Sequence, residues 1–253
     1  MCRTEKIRAD MAATLHWIKT TDPPDHFPDP DRALTEPDGL LAVGGDLSVE
    51  RLLIAYRQGI FPWYQDGQPI LWWSPDPRAV LFPSELHVSR SLRRTLRKNH
   101  FTVSINQDFA GVIAGCATDH ADTGTWITTE MVQAYQQLHD EDHAHAMEVW
   151  RDEKMVGGLY GVNIGRVFFG ESMFSREADA SKVALVLLIR VCRELGIELV
   201  DCQIASAHLA SLGSRQISRA EFHRLLRRYT QFPSPSDWTR EKVATRGLVP
   251  ESG

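Results

Sequence analysis

The chain has 253 residues, of which 43% are hydrophobic and 24% charged, and its formal net charge is −5. These values are typical of a globular protein with one large domain or two unequal ones, and the acidic total disfavours a protein that coats nucleic acid. The apolar stretches are far shorter than the roughly 20 residues needed to cross a bilayer, and no signal segment precedes them. We therefore expect a soluble cytoplasmic protein without a membrane partner.

The N-terminal part of the sequence begins with irregular chain. We interpret residues 1–15 as an irregular leader, and residues 21–31 are too rich in proline and aspartate to form a regular element. A helix is predicted over residues 49–58, because Ser48 is a suitable N-cap and Gly59 a suitable stop. The sequence therefore predicts a small helical unit near the N-terminus.

Two segments that combine prolines with aromatic residues follow this helix. They cover residues 60–64 and 70–78, and we interpret them as shaped, rigid loops. The small N-terminal domain is predicted to cover residues 16–77.

From residue 78 onwards the predicted elements alternate between helices and strands. The predicted helices cover residues 89–98, 107–116, 129–139 and 181–195, and the predicted strands cover residues 144–150, 155–163, 167–170 and 198–203. Turn signals at Asp152-Glu153 and Ile164-Gly165 join the first three strands as an antiparallel meander. We therefore predict an α+β fold with a mixed, mostly antiparallel sheet flanked by helices, in a domain over residues 78–232 before a tail over residues 233–253.

Two basic clusters interrupt the acidic composition. The first basic cluster lies on a predicted helix without acidic residues and consists of Arg90, Arg93, Arg94, Arg97 and Lys98. The second basic cluster lies around residues 215–228 and includes Arg224, Arg227 and Arg228. Either cluster is suited to a phosphate backbone, but an isolated basic run is more often a solvated helix face. An independent indication of nucleic acid is needed to decide between the two readings.

Carboxylates follow two apolar strands. Glu171 comes directly after the first, and Asp201 ends the next together with Gln203. If the strands are neighbours, the two carboxylates converge on one cleft, where one can hold a cation and the other can orient or deprotonate a nucleophile. The alternative, that each carboxylate caps a turn or pairs with an arginine, stays open on the sequence alone.

Four tryptophans lie in or beside segments rich in glycine, threonine or proline: Trp63, Trp72, Trp73 and Trp126. Flat rings in loops can stack on nucleobases, although core packing is the more frequent role of a single tryptophan. No metal site is predicted, because the polar residues 139–145 are interpreted as a solvated turn and the four cysteines are scattered. The sequence has no phosphate loop of the Walker type and no convincing serine-hydrolase arrangement.

Nine short motifs in chain order are the most specific signal in the sequence. They read Gly-Leu-Leu-Ala-Val-Gly-Gly-Asp-Leu at 39–47, Gly-Ile-Phe-Pro-Trp at 59–63, Trp-Trp-Ser-Pro-Asp-Pro-Arg at 72–78, Gly-Thr-Trp-Ile-Thr at 124–128, His-Ala-His at 143–145, Gly-Glu-Ser-Met-Phe-Ser at 170–175, Ala-Ser-Lys at 180–182, Asp-Cys-Gln at 201–203 and His-Leu-Ala-Ser-Leu-Gly at 208–213. Together they closely resemble the motifs of the bacterial leucyl/phenylalanyl-tRNA–protein transferase family. The resemblance spans residues 27–229 and supplies the independent indication of nucleic acid.

The resemblance implies a small N-terminal domain and a larger catalytic domain with a GNAT-like acetyltransferase fold. It implies an aminoacyltransferase that moves Leu or Phe, with Met as a minor donor, from aminoacyl-tRNA to the N-terminal Arg or Lys of an acceptor protein. The α-amino group attacks the ester carbonyl and the 3′ hydroxyl of the tRNA leaves. The family implies no metal and no cofactor, a monomer, and products that enter N-end-rule degradation.

The resemblance also implies roles for single residues. Asp201 and Gln203 match the pair that activates the amine, with the aspartate taking its proton or orienting it, and Glu171 matches the acid that contacts the acceptor's basic N-terminus. The residues that match the site of the terminal adenosine are Trp63, Trp126, Tyr56 and Tyr135. The residues that match the apolar pocket for the transferred side chain are Leu159, Phe168 and Leu188. The two basic clusters are then expected to contact the tRNA backbone.

Two other functions remain as alternatives. An acyl-CoA N-acyltransferase of the same fold class needs a glycine-rich turn for the phosphates, and residues 176–181 do not provide one. A non-enzymatic RNA-binding module would use the basic clusters and tryptophans but would leave Glu171, Asp201 and Gln203 without a role. Replacement of these three residues with retained tRNA binding distinguishes the module from the transferase.

Overall fold

The computed structural model of the protein describes residues 15–119 and 127–248. The predicted leader, apart from its last residue, and Trp126 lie outside the described residues, as do residues 249–253 of the predicted tail.

The N-terminal unit is a four-stranded sheet with one helix. Its strands are β1 (His16–Ile18), β2 (Leu40–Gly44), β3 (Phe61–Pro62) and β4 (Leu71–Trp73), in the order β1-β2-β4-β3 with β1 and β2 parallel. Helix α1 (Val49–Arg57) confirms the helix predicted in this region. The prediction of loops over 60–64 and 70–78 was wrong where β3 and β4 form. The Trp72 indole is fully buried and donates to the Gly44 carbonyl at 2.8 Å, which fixes β4 beside β2.

The second sheet has eight strands in the order β11-β5-β10-β9-β8-β7-β6-β12. The strands are β5 (Arg78–Leu81), β6 (Thr102–Ile105), β7 (Ala144–Arg151), β8 (Lys154–Ile164), β9 (Val167–Ser175), β10 (Leu199–Gln203), β11 (Arg215–Ile217) and β12 (Arg240–Ala244). All neighbouring strands are antiparallel except β9 and β10, which are parallel. The predicted α+β class with a mixed, mostly antiparallel sheet is therefore confirmed.

Helices cover both faces of the large sheet. They are α2 (Arg90–Lys98), α3 (Phe109–Asp119), α4 (Thr129–Asp140), α5 (Ala180–Leu195), α6 (Ala207–Ala210) and α7 (Arg219–Tyr229). The apolar helix α5 and helix α2 share one buried cluster, whereas α3, α4 and α7 share the other with the N-terminal unit. No helix within the described residues is long and apolar enough to cross a membrane.

The pairing between β9 and β10 is short, and this opens a cleft in the sheet. Helix α5 connects the two strands, which pair only from Leu199 with Val167 to Asp201 with Phe169. Beyond these residues β9 continues along β8, while β10 has a bulge against β5 between Asp201 and Gln203. The polar residues that follow the two paired segments therefore face each other across a gap.

The segment that follows Phe232 packs onto the large sheet. Its strand β12 pairs with β6, and the fully buried ring of Trp238 stacks on His145 with 4.2 Å between ring centroids. Beyond β12, the Thr245 hydroxyl donates to the Leu96 carbonyl at 3.2 Å, near the end of α2. Residues of the predicted tail thus hold the helix that carries the first basic cluster.

Candidate active site

A cavity of about 310 Å³ lies where β9 and β10 separate. One wall is apolar and contains Leu159, Met173, Leu185, Leu188 and Leu209. The other carries polar groups and contains Glu171, Asp201, Gln203, Ser206 and His208. A cavity with one apolar wall and a few converging polar groups is typical of a binding site for a small apolar group with a reactive end.

Glu171 lies at this cavity with neutral hydrogen-bond donors on both of its carboxylate oxygens. The Tyr135 hydroxyl donates to Oε2 at 2.6 Å, and the Gln203 amide nitrogen donates to Oε1 at 2.8 Å. The Tyr56 hydroxyl lies 2.5 Å from that of Tyr135, so two tyrosines stand behind the carboxylate. Burial raises the pKa of Glu171 to about 7, and the negative charge of Asp201 adds to this rise, whereas the Tyr135 and Tyr56 hydroxyls and the charge of Arg78 oppose it.

Asp201 has different surroundings, because a buried arginine holds it. Arg78 Nε donates to Oδ1 at 2.8 Å and Arg78 Nη2 donates to Oδ2 at 2.7 Å, and both side chains are almost completely buried. The guanidinium carbon of Arg78 lies 4.7 Å from the ring centroids of both Phe61 and Phe222. A bidentate guanidinium between two rings fixes the position of this carboxylate.

Gln203 links the two carboxylates. Its backbone N–H donates to Asp201 Oδ1 at 2.9 Å, and its side chain donates to Glu171. Gln203 has a φ of 60°, in the left-handed region that a residue other than glycine adopts at a cost. The bulge in β10, held by the Asp201 side chain, thus directs the Gln203 amide toward Glu171.

Strands β9 and β10 are neighbours, and Glu171, Asp201 and Gln203 share one cavity wall, as expected for that case. The predicted strand end before Glu171 was wrong, because β9 continues to Ser175. Among the residues expected for the side-chain pocket, Leu159 and Leu188 line the cavity, while Phe168 is fully buried and contacts Trp238 at 5.6 Å between ring centroids. Sequence reasoning missed Met173, Leu185 and Leu209 in the lining. Two of them lie in the quoted motifs, Met173 in the motif at 170–175 and Leu209 in the motif at 208–213.

The residues expected at the terminal adenosine of tRNA fall into two groups. Tyr56 and Tyr135 are fully buried behind Glu171, where burial raises the pKa of both phenols well above 10.0. Trp63 is 40% exposed, and its ring lies 5.6 Å from that of Trp73, whose indole donates to the Trp63 carbonyl. Trp63 is therefore the described member of the group with a ring face available for stacking.

The two basic clusters lie on helices that expose them. Four of the five cations on α2 are exposed and Arg93 is half-buried, and the five side chains line a surface groove. On α7, Arg224, Arg227 and Arg228 are exposed, with Arg224 3.9 Å from Glu221. Leu92 and Leu96 of α2 are buried, so the basic face of this helix is turned away from the core.

The histidine-rich stretch over 139–145 has packing roles. His139 stacks on Phe109 at 4.1 Å, and His145 stacks on Trp238. Within residues 15–119 and 127–248, no group of three or more His, Cys, Asp or Glu side chains is arranged to hold a metal ion.

Fold and site together define an α+β protein with a mixed sheet and an apolar cavity that ends at a carboxylate and an amide. The sequence model described as leucyl/phenylalanyl-tRNA protein transferase matches residues 80–227, and that of the N-terminal domain of the same family matches residues 45–76. A relative from Pseudomonas aeruginosa (strain LESB58) named leucyl/phenylalanyl-tRNA–protein transferase is 59% identical over 88% of this chain and 98% of its own length. A relative of the same name from Azotobacter vinelandii is 59% identical over 84% and 94% of the two chains. This chain belongs to the leucyl/phenylalanyl-tRNA protein transferase family, a family of aminoacyltransferases.

Solved structures overlap with the chain less closely. L-PGS from Bacillus licheniformis has a TM-score of 0.39 and 10% identity over 66% of this chain and 54% of its own. A GCN5-related N-acetyltransferase from Kribbella flavida has a TM-score of 0.36 and 12% identity over 66% of this chain and 60% of its own. Overlaps of this size carry no argument about function.

Proposed function

We propose that the protein transfers leucine or phenylalanine from aminoacyl-tRNA to the N-terminal Arg or Lys of acceptor proteins. The observation that carries the proposal is the cavity of about 310 Å³, whose apolar wall suits a leucyl or phenylalanyl side chain and whose polar wall presents Glu171 and Gln203. An aminoacyl ester is already activated, so the site has to bind two substrates and manage one proton. The chemistry needs no metal and no cofactor.

The apolar wall supports a preference for apolar side chains without a sharp choice among them. Leu159 and Leu188, with Met173 and Leu185, offer contacts but no hydrogen bonds to a bound side chain. Because one methylene in such a pocket is worth only about 1–3 kcal/mol, methionine is a minor donor in this proposal.

The tRNA body is proposed to lie along the exposed cations of α2 and α7, with Trp63 under the terminal base. Stacking of a base on an aromatic ring contributes about 1–3 kcal/mol, and phosphate contacts make binding depend on salt. Charge reversal of Arg94, with Lys154 reversed as the matched control outside both clusters, tests this path. We expect weaker tRNA binding and a smaller salt dependence for Arg94→Glu and unchanged values for Lys154→Glu.

Asp201 is proposed to orient Gln203 rather than to take the proton of the amine. Its carboxylate already accepts two hydrogen bonds from Arg78 and one from the Gln203 backbone, and it is fully buried. In this proposal the amine of the acceptor contacts the Gln203 amide and the Glu171 carboxylate, which both line the cavity.

The transfer reaction itself is the test of the proposed function. Radiolabelled leucine and phenylalanine, supplied on purified tRNA, are offered to peptides that differ only in an N-terminal Arg, Lys or Ala. Label on the Arg and Lys peptides alone supports the reaction and its acceptor rule. No label on any peptide, with tRNA bound to the folded protein, contradicts the transferase and leaves the RNA-binding module.

The same proposal extends to the cellular role. A product with a new apolar N-terminal residue is a substrate for N-end-rule degradation, and we propose that a monomer of this protein marks acceptors in the cytoplasm. Turnover of a reporter with an N-terminal Arg, compared in cells with and without the protein, tests this role. Equal turnover in both contradicts it.

A further inference from the structure

Glu171 and Asp201 both line the cavity, but they differ in how much hydrogen-bonding capacity their oxygens retain for a substrate. Each of its oxygens accepts one hydrogen bond from a neutral donor, Tyr135 or Gln203. A carboxylate offers about four acceptor sites, so Glu171 retains capacity toward the cavity that it lines. Asp201, by contrast, is fully buried and bound to a guanidinium.

We infer that Glu171 accepts the proton of the attacking amine and returns it to the leaving 3′ oxygen. This inference rests on the proposed function and goes beyond contact between Glu171 and the acceptor. In the reaction, the neutral α-amino nitrogen forms a bond to the ester carbonyl carbon, and one of its protons passes to the Glu171 carboxylate. The bond between that carbon and the 3′ oxygen then breaks, and Glu171 gives its proton to this oxygen. Amide and free 3′ hydroxyl result, and the carboxylate is regenerated.

The surroundings of Glu171 suit a group that must both take and release a proton. The side chains that face it with a charge or an ionisable group come from five elements: Tyr56 of α1, Arg78 of β5, Tyr135 of α4, Tyr160 of β8 and Asp201 of β10. Burial raises the pKa of Glu171 to about 7, close to the value of about 8 for an α-amino group. A group whose pKa lies near the operating pH can both accept and release a proton without a large cost.

Gln203 places the amine in this scheme. Its amide nitrogen donates to Glu171 Oε1, which directs the amide oxygen of the same group away from the carboxylate. An amine that donates one hydrogen bond to this oxygen and one to Glu171 has its lone pair free for the ester. Asp201 and Arg78 act on the reaction only through the position of Gln203, which makes them positioning residues.

The test separates proton transfer from acceptor recognition by measuring kcat and KM for Glu171→Gln with an Arg peptide. If Glu171 transfers the proton, Glu171→Gln lowers kcat by about 10²- to 10⁴-fold. If Glu171 only recognises the acceptor, the variant raises KM and leaves kcat unchanged. Glu198→Gln, which removes an exposed carboxylate next to β10, is the matched control with unchanged kcat. A kcat for Glu171→Gln within tenfold of the wild type overturns the inference.

A second variant tests the chemistry directly. Glu171→Ala leaves space for a small carboxylic acid, and added formate or acetate is expected to restore transfer, with the stronger base more effective at equal occupancy. A loss of kcat without rescue by either acid overturns the inference, because a structural role is not restored by a free base. Absence of transfer by the wild-type protein would contradict the proposed function instead, so the two failures are distinguishable.

Discussion

The neighbouring strands β9 and β10 carry the same functional group in opposite surroundings. Both carboxylates border the cavity, but Asp201 is fully buried and bound by Arg78, whereas Glu171 is partly exposed and held by a tyrosine hydroxyl and an amide. A paired carboxylate keeps its charge and its position, while one among neutral donors in a buried site is free to exchange a proton. The role of each carboxylate is therefore decided by the groups that surround it.

Replacement of Arg78, the partner of Asp201, should have the largest effect on stability. We expect Arg78→Met to lower the free energy of unfolding by about 3–5 kcal/mol, because the buried Asp201 loses the cation that pairs with it. Chemical denaturation measures the loss. In the double variant Arg78→Met/Asp201→Met neither charge remains, so most of the loss should be recovered. Equal losses in the single and the double variant would contradict a role of the ion pair itself.

The pH dependence of stability should report Glu171. Its pKa is raised from 4.5 to about 7 in the folded protein. Between these two pH values the folded protein holds a proton that the unfolded chain has released, so the free energy of unfolding should fall as pH rises. We expect the wild type to lose about 1–3 kcal/mol over this range relative to Glu171→Gln, measured by denaturation at several pH values. Parallel curves for the two proteins would show that Glu171 has an ordinary pKa.

The hydrogen bond from Tyr135 should lower the pKa of Glu171. The Tyr135 hydroxyl stabilises the charged form, so Tyr135→Phe should move the rising limb of the pH profile of kcat/KM to higher pH. Tyr160→Phe is the matched control, because its hydroxyl is equally buried and has no hydrogen-bond partner among the described residues. A shift of the same size in both variants would mean that the hydrogen bond to Glu171 is not its cause.

The smallest effect should come from the second tyrosine. The Tyr56 hydroxyl contacts that of Tyr135 and also lowers the pKa of Glu171, but it does so less than the Tyr135 hydroxyl. We expect a shift of the same limb in the same direction as for Tyr135→Phe, but smaller, in the same kinetic measurement. A larger shift than that of Tyr135→Phe would contradict this order of the two tyrosines.

The sequence predicted part of this site because its signals were local. Glu171 and Asp201 each follow an apolar segment, so their convergence was predicted on the condition that the two strands are neighbours, and β9 and β10 fulfil that condition. Arg78 was not, because it lies 123 residues from Asp201 and ends a proline-rich segment that we interpreted as a loop. No local pattern indicates that such an arginine is buried between Phe61 and Phe222.

Short elements also escaped prediction for a physical reason. Strand β3 has two residues, Phe61 and Pro62, which are too few for alternation of polar and apolar positions to appear. Strand β12 has one large apolar residue, Val243, and this residue is half exposed. Strand β3 depends on pairing with β4, which contains the buried Trp72, and β12 depends on pairing with the distant β6 and lies near the buried Trp238.

The most direct test of the contrast between the two carboxylates is the titration of Glu171 in the folded protein by carbon-13 NMR of the side-chain carboxyl groups. Our account predicts a resonance that titrates near pH 7, is absent in Glu171→Gln and is retained in Glu198→Gln. A Glu171 resonance that titrates near 4.5, the ordinary value for this side chain, would contradict it.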